Sequence, residues 1–262
     1  IIRIINKEII RNNFVLLIYM PDNIKFVTYA THQAGMFDKL VNNNYSVDIT
    51  VLGMGEKWNG FMDKIKAINE YAKTQEEDTI IVFLDGFDTI INKNIEGLID
   101  EFKNYKCDLL VSKDPSLKFI SKKIFGDYPI IANAGMYMGY AGKLEKITSK
   151  MLNLDTKDDQ EALNYCIYNF EDEFNTKIDI EKRIFYNFPF TGWESEEDKN
   201  NITYFKSYPG GNNNGIKYRM HRFWRGIFEY YPYLKYEITI FFICLVIIIL
   251  LLNRVLKSVC SK

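Results

Sequence analysis

The sequence predicts an α/β domain on a mostly parallel sheet, followed by one C-terminal transmembrane helix. Three observations predict this. Strand-like apolar runs alternate with helical periodicity, the most strand-like run ends in a carboxylate-bearing turn, and an uncharged apolar stretch stands near the C-terminus.

The elements follow in chain order. Lys25–Thr31 (KFVTYAT) and Val47–Leu52 (VDITVL) have the β-branched and aromatic content of buried strands. Between them, Met36–Asn43 reads as a short helix ending at the Asn42-Asn43-Asn44 turn, which completes a β-α-β unit. Phe61, Ile65, Ile68 and Tyr71-Ala72 recur at helical spacing and lead into Thr79–Leu84 (TIIVFL). A helix over Ile95–Tyr105 and a short strand over Asp108–Val111 are expected next. Asn133–Tyr140 (NAGMYMGY) is a glycine-interrupted segment, and helical patterns cover Lys143–Leu152 and Asp159–Tyr168. Glu171–Asn201 reads as acidic, aromatic and irregular, and Pro209–Gly215 as a loop by composition. In a mostly parallel sheet covered on both faces, ligands sit outside the carboxyl ends of the strands, where Asp85-Gly86-Phe87-Asp88 stands.

Composition bounds the function. Among 262 residues, 47% are hydrophobic and 26% charged, which excludes a disordered chain. A net charge of -1 gives no electrostatic reason to expect nucleic acid as a partner. Cys107, Cys166, Cys244 and Cys260 are widely spaced and form no C-x-x-C pair, so neither a disulfide scaffold nor a zinc site is indicated. Free thiols suit a reducing compartment, although a domain of this size also folds without bridges in an oxidising one. The sequence opens on Ile1, and Ile1–Ile10 carries Arg3, Lys7 and Glu8 without a small-residue cleavage pattern, so it is not read as a signal peptide.

Ile238–Leu252 (ITIFFICLVIIILLL) is uncharged. Extended to Tyr236–Leu256 it spans ~31 Å as a helix, the thickness of a hydrocarbon core. Tyr230, Tyr231, Tyr233 and Tyr236 on the near side resemble an interfacial aromatic belt. The alternative, a buried core helix, conflicts with the lack of any polar face. Basic residues flank both sides, Arg219, Arg222, Arg225 and Lys235 before the span and Arg254, Lys257 and Lys262 after it, with a slight lean to a cytosolic, tail-anchored domain. The sequons at Asn44 and Asn201 would be used only on a lumenal domain. The expected organisation is an N-terminal segment over 1–24, a catalytic-type domain over 25–229, the membrane helix with its aromatic flank over 230–256, and a basic tail over 257–262.

The chemistry centres on the turn after Ile81-Val82-Phe83-Leu84. Asp85 and Asp88 offer hard oxygen ligands suited to Mg(II) or Mn(II), such as a nucleoside diphosphate donor requires when its pyrophosphate leaves. D-x-x-D alone also describes many ordinary turns.

The surrounding segments resemble the glycosyltransferase domain of the procollagen lysyl hydroxylase (PLOD) family and its viral relatives. Phe26–Thr31 is similar to the family's donor-binding first strand. Val51-Leu52-Gly53-Met54-Gly55-Glu56-Lys57-Trp58 is similar to its V-L-G-x-G-E-x-W segment, the most specific match. Lys64 falls at its Q-K-V-R helix start, Ile81–Asp88 at its strand ending in D-x-x-D, Asn133–Tyr140 at its N-S-G-G-F-I-G-Y, and Asp158-Asp159-Gln160 at its D-D-Q. The resemblance implies a GT-A-like nucleotide-sugar-binding sandwich using Mn(II), or Mg(II), and a UDP-sugar, with a hexose passed to an acceptor hydroxyl on a protein, such as hydroxylysine, or on a glycan. It implies that Ala30 and Thr31 line uracil and ribose, that Trp58 flanks the donor, and that Asp85 and Asp88 hold metal and ribose. Lys64, Gly86, Phe87 and Asn133 would complete the donor site, and Asp158 and Asp159 would face the transferred sugar or the acceptor.

Simpler roles stand beside these. Trp58 could be a core aromatic, Asp158-Asp159 a helix opening, and Gly135 and Gly139 a bend or bulge. The family's glycine-rich donor loop is shortened here to Asn59-Gly60-Phe61. Its C-terminal G-N-G-P-T-K loop, preceded in the most active members by a metal-binding His, corresponds to Gly210-Gly211-Asn212-Asn213-Asn214-Gly215-Ile216-Lys217. Lys217 could contact the diphosphate, and His221 is the remaining candidate for the metal, or else a structural or exposed residue. The only histidines, His32 and His221, do not form an H-x-D pattern, so lysyl hydroxylase chemistry is not expected of this sequence. A degenerate, non-catalytic binding module tethered to a membrane is the main alternative. A metal-dependent phosphohydrolase would need more clustered carboxylates and histidines.

Overall fold

The computed structural model describes residues 23–116, 118–189, 195–200, 202–209 and 235–254. Lys217, His221, the sequon at Asn201, Ile1–Ile10, most of the 1–24 segment and the 257–262 tail lie outside them.

The expected β-α-β opening is present as β1 (Ile24–Tyr29), α1 (Phe37–Val41) and β2 (Ile49–Leu52), with β1 and β2 parallel and Phe26 opposite Ile49. Helix α2 (Met62–Lys73) leads to β3 (Ile80–Leu84), which lies parallel to β1 on its other side. All five β3 residues are buried, and they alternate between the two hydrophobic cores. Ile81 and Phe83 face one core, and Ile80, Val82 and Leu84 the other. An uninterrupted apolar run is what a strand covered on both faces requires.

After β3 come β4 (Thr89–Ile91), α3 (Leu98–Asn104), β5 (Leu109–Lys113), α4 (Lys118–Phe125) and β6 (Ala132–Tyr140). Helices α5 (Ala141–Leu152) and α6 (Asp159–Asn169) follow, then β7 (Thr176–Asp179), β8 (Phe185–Asn187), α7 (Glu196–Asn200) and β9 (Phe205–Ser207). The main sheet has the order β2-β1-β3-β6-β5-β7, and a second sheet has the order β4-β9-β8.

Two expectations need correction. The main sheet is mixed: β6, the glycine-interrupted NAGMYMGY segment, is antiparallel to both β3 and β5, whereas the other pairings of that sheet are parallel. Alternation of strands and helices along a chain does not report the direction in which a late strand re-enters. The second correction concerns Glu171–Asn201, which contains β7, β8 and α7. These elements are 3 to 5 residues long, too short to show a period.

Helices α2, α5 and α6 cover one face of the sheet through Ile65, Ile68, Leu144, Ile147, Met151, Leu163 and Ile167. Leu40, Leu98, Phe102 and the small sheet's Ile91, Phe185 and Phe205 cover the other. At the C-terminus, Lys235–Arg254 forms a 20-residue helix long and apolar enough to cross a membrane, and no part of its apolar window is buried against the domain. That exposure removes the core-helix alternative.

Candidate active site

The carboxyl end of β3 opens into a cleft of about 360 Å³. Lys64, Asp85, Asp88, Asn133, Asp158 and Asp159, separated by up to 95 positions in sequence, all line it, as do Gly135 and Gln160. They come from four places, the turn after β3, the first turn of α2, the start of β6 and the start of α6, so the sheet brings together motifs that are distant in sequence.

Lys64 sits in the first turn of α2 and is 7% exposed. Its Nζ lies 2.6 Å from Asp159 Oδ2 and 3.6 Å from Asp85 Oδ2. Burial disfavours the ammonium charge, but Asp159 and Asp85, with Asp88 farther away, outweigh it and hold Lys64 above its ordinary range. Asp159 is raised by its own burial, Lys64 offsets part of that, and Asp158 and Asp85 add to it. One cation facing two acids leaves the group with excess negative charge. Beneath it, Tyr137 stacks on Phe83 at 4.8 Å, and burial together with Asp159 and Asp85 keeps its phenol protonated well past the ordinary range.

The Asp85–Asp88 turn is set by close backbone approaches. A Cβ on Gly86 would stand 2.9 Å from both Thr28 Oγ1 and the Tyr29 carbonyl, so only glycine lets the turn lie against β1. A Cβ on Gly35, at φ +58°, would stand 2.1 Å from the Phe87 carbonyl oxygen, and Met36 N donates to that carbonyl at 2.8 Å. Asp85 Oδ1 accepts from Phe87 N at 3.2 Å, and Asp88 Oδ1 accepts from Ser207 Oγ of β9 at 3.1 Å.

On the facing strand, the β5–β6 register slips between Val111 and Ser112, leaving Ala134–Met136 outside that ladder. Gly135 therefore meets β3 instead, its carbonyl accepting from Asp85 N at 2.8 Å. Asn133 Oδ1 accepts from Gly135 N at 2.9 Å, and its Nδ2 donates to Gln160 Oε1 at 3.0 Å. Gly135 thus serves a bulge and lines the cleft at once. Asp158 is the N-cap of α6, with Oδ1 accepting from Gln160 N and Glu161 N, each at 2.9 Å. The helix-opening role and the cleft position coexist in that residue.

Among the described residues, the remaining sequence candidates do not line this cleft. Ala30 is fully buried; the Cβ that Gly86 lacks would lie 3.1 Å from its methyl, so its side chain has no surface for a base. Thr31 Oγ1 is 3.0 Å from His32 Nδ1, and the His32 ring lies 5.2 Å from that of Phe87. Trp58 is 43% exposed, which removes the core-aromatic alternative, and it packs on Tyr29 and Phe61 at 6.0 and 5.7 Å.

Sequence reading missed three contributors. Asp114, buried after β5, accepts from Ser116 N and Ser121 Oγ through Oδ1 and from Gln160 Nε2 at 2.9 Å through Oδ2. An Asp-Pro-Ser turn after a strand was a signal that could have found it. Gln160 belonged to a matched triplet but was given no role. Ser207 lies on a three-residue strand that carries no signal.

Comparison with known proteins identifies the family. The PLOD GT domain family matches residues 20–203. The multifunctional procollagen lysine hydroxylase and glycosyltransferase of Caenorhabditis elegans is 27% identical over 184 residues, covering 62% of this chain and 25% of that protein. The procollagen-lysine,2-oxoglutarate 5-dioxygenase of Drosophila melanogaster is 29% identical over 191 residues, covering 63% and 26%. The chain spans about a quarter of the length of these curated relatives. Among solved structures, a glycosyltransferase involved in glycosylation of the major capsid of PBCV-1 aligns with TM-score 0.47 and 13% identity over 77% of this chain and 99% of that one. The chain is a GT-A-like glycosyltransferase domain and belongs to the PLOD GT domain family.

Proposed function

We propose that the protein is a membrane-tethered transferase that moves a hexose, glucose or galactose, from a UDP-sugar to an acceptor hydroxyl in a Mn(II)- or Mg(II)-dependent reaction. The observation that carries this reading is the convergence of Lys64, Asp85, Asp88, Asn133, Asp158 and Asp159 on one cleft. Asp85 and Asp88 would hold the metal. Among the described residues no group of three His, Cys, Asp or Glu side chains could hold one alone. A pair of carboxylates completed by substrate phosphates and water is an ordinary arrangement for Mg(II), so the donor set fits. The bound ion would supply positive charge to the departing diphosphate.

The chain's own groups divide the rest. Thr31 and Trp58 flank the nucleotide, with Ala30, Gly86 and Phe87 shaping the turn beneath it. Asn133, oriented by Gln160, donates to the sugar. Asp158 keeps Oδ1 on the helix cap and takes the acceptor's proton on its other oxygen, while Lys64 holds Asp159 in place. Lys217 and His221, outside the described residues, would reach the diphosphate and the metal. The transfer forms a bond from the acceptor oxygen to the anomeric carbon as the bond to the β-phosphate breaks, and UDP departs with the electron pair. The helix Lys235–Arg254 would span the bilayer with the domain on the cytosolic side.

A second reading, binding without catalysis, draws on the contact of Asp85 with Lys64 at 3.6 Å, which already engages one metal-ligand candidate. UDP release from UDP-glucose or UDP-galactose with Mn(II), compared between the native chain and Asp88→Ala, separates the two. Transfer predicts release that falls roughly 10²–10³-fold in the variant. UDP binding without release from either sugar would leave only the binding module.

A further inference from the structure

We propose that a second cleft, sharing Asp114-Pro115-Ser116 with the first, is the acceptor site and takes a hydroxyl compound bearing an anionic group. This rests on the transferase reading. The cleft has a volume of about 480 Å³ and is formed by the end of β5, the start of α4 and the β7–β8 connection, and neither Asp85 nor Asp88 lines it.

Its charge is one-sided. Lys113, Lys118 and Lys182 line it, and Asp114 is the only carboxylate among its lining residues. Asp114 is 8% exposed, and both its oxygens are committed, to Ser116, Ser121 and Gln160, so it does not neutralise a ligand-facing lysine. Lys182 pairs with Asp198, whereas Lys113 and Lys118 form no ion pair among the described residues. Pro129, Ile130, Ile131 and Ile180 make the apolar part of the walls, so the lysines are the cationic groups a phosphate or carboxylate would meet there.

The shared Asp114–Ser116 wall is what makes this an acceptor site rather than a separate one. Asp114 holds Gln160, and Gln160 holds Asn133 at the sugar end of the donor cleft. A compound whose anionic group is held by the lysines of this cleft would extend its hydroxyl past Asp114–Ser116 into the first cleft, which Asp158 lines. The hydroxyl oxygen forms the new bond, its proton passes to Asp158 and then to water, and UDP leaves with the bonding electrons.

The test uses the full chain in detergent with Mn(II) and UDP-glucose or UDP-galactose, following UDP release. Methyl β-D-glucoside, methyl β-D-glucuronide, and vesicles of phosphatidylcholine with and without phosphatidylglycerol are compared with a no-acceptor control. The anionic acceptors should raise release roughly tenfold above the neutral ones. The paired variant Lys113→Gln, Lys118→Gln should raise KM for the anionic acceptor roughly tenfold, with kcat, UDP affinity and acceptor-free hydrolysis unchanged. Stimulation by the glucuronide identifies a soluble acidic glycan, and stimulation by phosphatidylglycerol alone a lipid headgroup; either supports the proposal. Equal use of neutral and anionic acceptors, or lysine variants without effect on KM, overturns it while leaving the donor site intact. Failure to bind UDP at all overturns the transferase reading and this proposal with it.

Discussion

Asp179 and Asp159 are both buried acids of one domain, and their surroundings are opposite. Asp179, at the end of β7, is fully buried and saturated: Oδ1 accepts from Tyr105 Oη at 2.5 Å and Arg183 N at 3.1 Å, and Oδ2 from Ile184 N and Phe185 N, each at 2.8 Å. Fixed donors surround it, and they fasten the β7–β8 connection to α3. Asp159 faces a cleft and meets the Lys64 ammonium, which also lies 3.6 Å from Asp85. A carboxylate locked by backbone donors holds a fold, whereas one paired with a side-chain ammonium shared with a second acid in a cleft has a partner that a substrate could also engage.

Breaking the saturated acid should have the largest effect. Asp179→Ala strands three backbone N–H groups and a phenol, and should lower the unfolding free energy by about 3–5 kcal/mol in a urea titration followed by tryptophan fluorescence. A loss under about 1 kcal/mol would place the β7–β8 connection outside the cooperative unit.

The second acid should respond to pH instead. Burial already raises the Asp159 carboxyl, and Lys64 offsets part of that rise. In Lys64→Met the folded chain binds that proton more tightly than the unfolded chain, whose carboxyl titrates near ~3.9. Because the native state then holds the extra proton, stability falls as pH rises from that value through the raised folded one. The variant should be about 2–3 kcal/mol less stable than the native chain at pH 7, and the gap should narrow by pH 5. A gap independent of pH would mean that Lys64 acts by packing alone.

The smallest effect tests the strand between the two acids. A Cβ on Gly139 would stand 2.6 Å from the Asp108 carbonyl at the β5–β6 pairing, so Gly139→Ala should cost about 1–3 kcal/mol while leaving UDP affinity unchanged. A selective loss of UDP affinity would show that the β6 register reaches the donor cleft.

Legibility in the sequence follows the same division. The β1-α1-β2 opening and β3 could be read because β-branched and aromatic residues fill strands buried between two cores, and α2 because its apolar residues recur at helical spacing. The donor-side acids were readable because Asp85 and Asp88 end a long apolar strand. Asp179 was not, since Thr176–Asp179 is short and its partners, Tyr105 and Arg183–Phe185, are common residues with no pattern. The direction of β6 was hidden because glycines at 135 and 139 look alike in a bend and in a bulged strand. Ser207 reaches Asp88 across 119 residues, a pairing that tertiary structure alone creates.

The most direct measurement of the central claim is calorimetric UDP binding to the full chain with Mn(II), with a chelator, and with Asp88→Ala. The claim that the Asp85–Asp88 turn is a metal-dependent nucleotide site predicts binding that needs the metal and weakens at least tenfold in the variant. Affinity unchanged by chelation and by Asp88→Ala would contradict it.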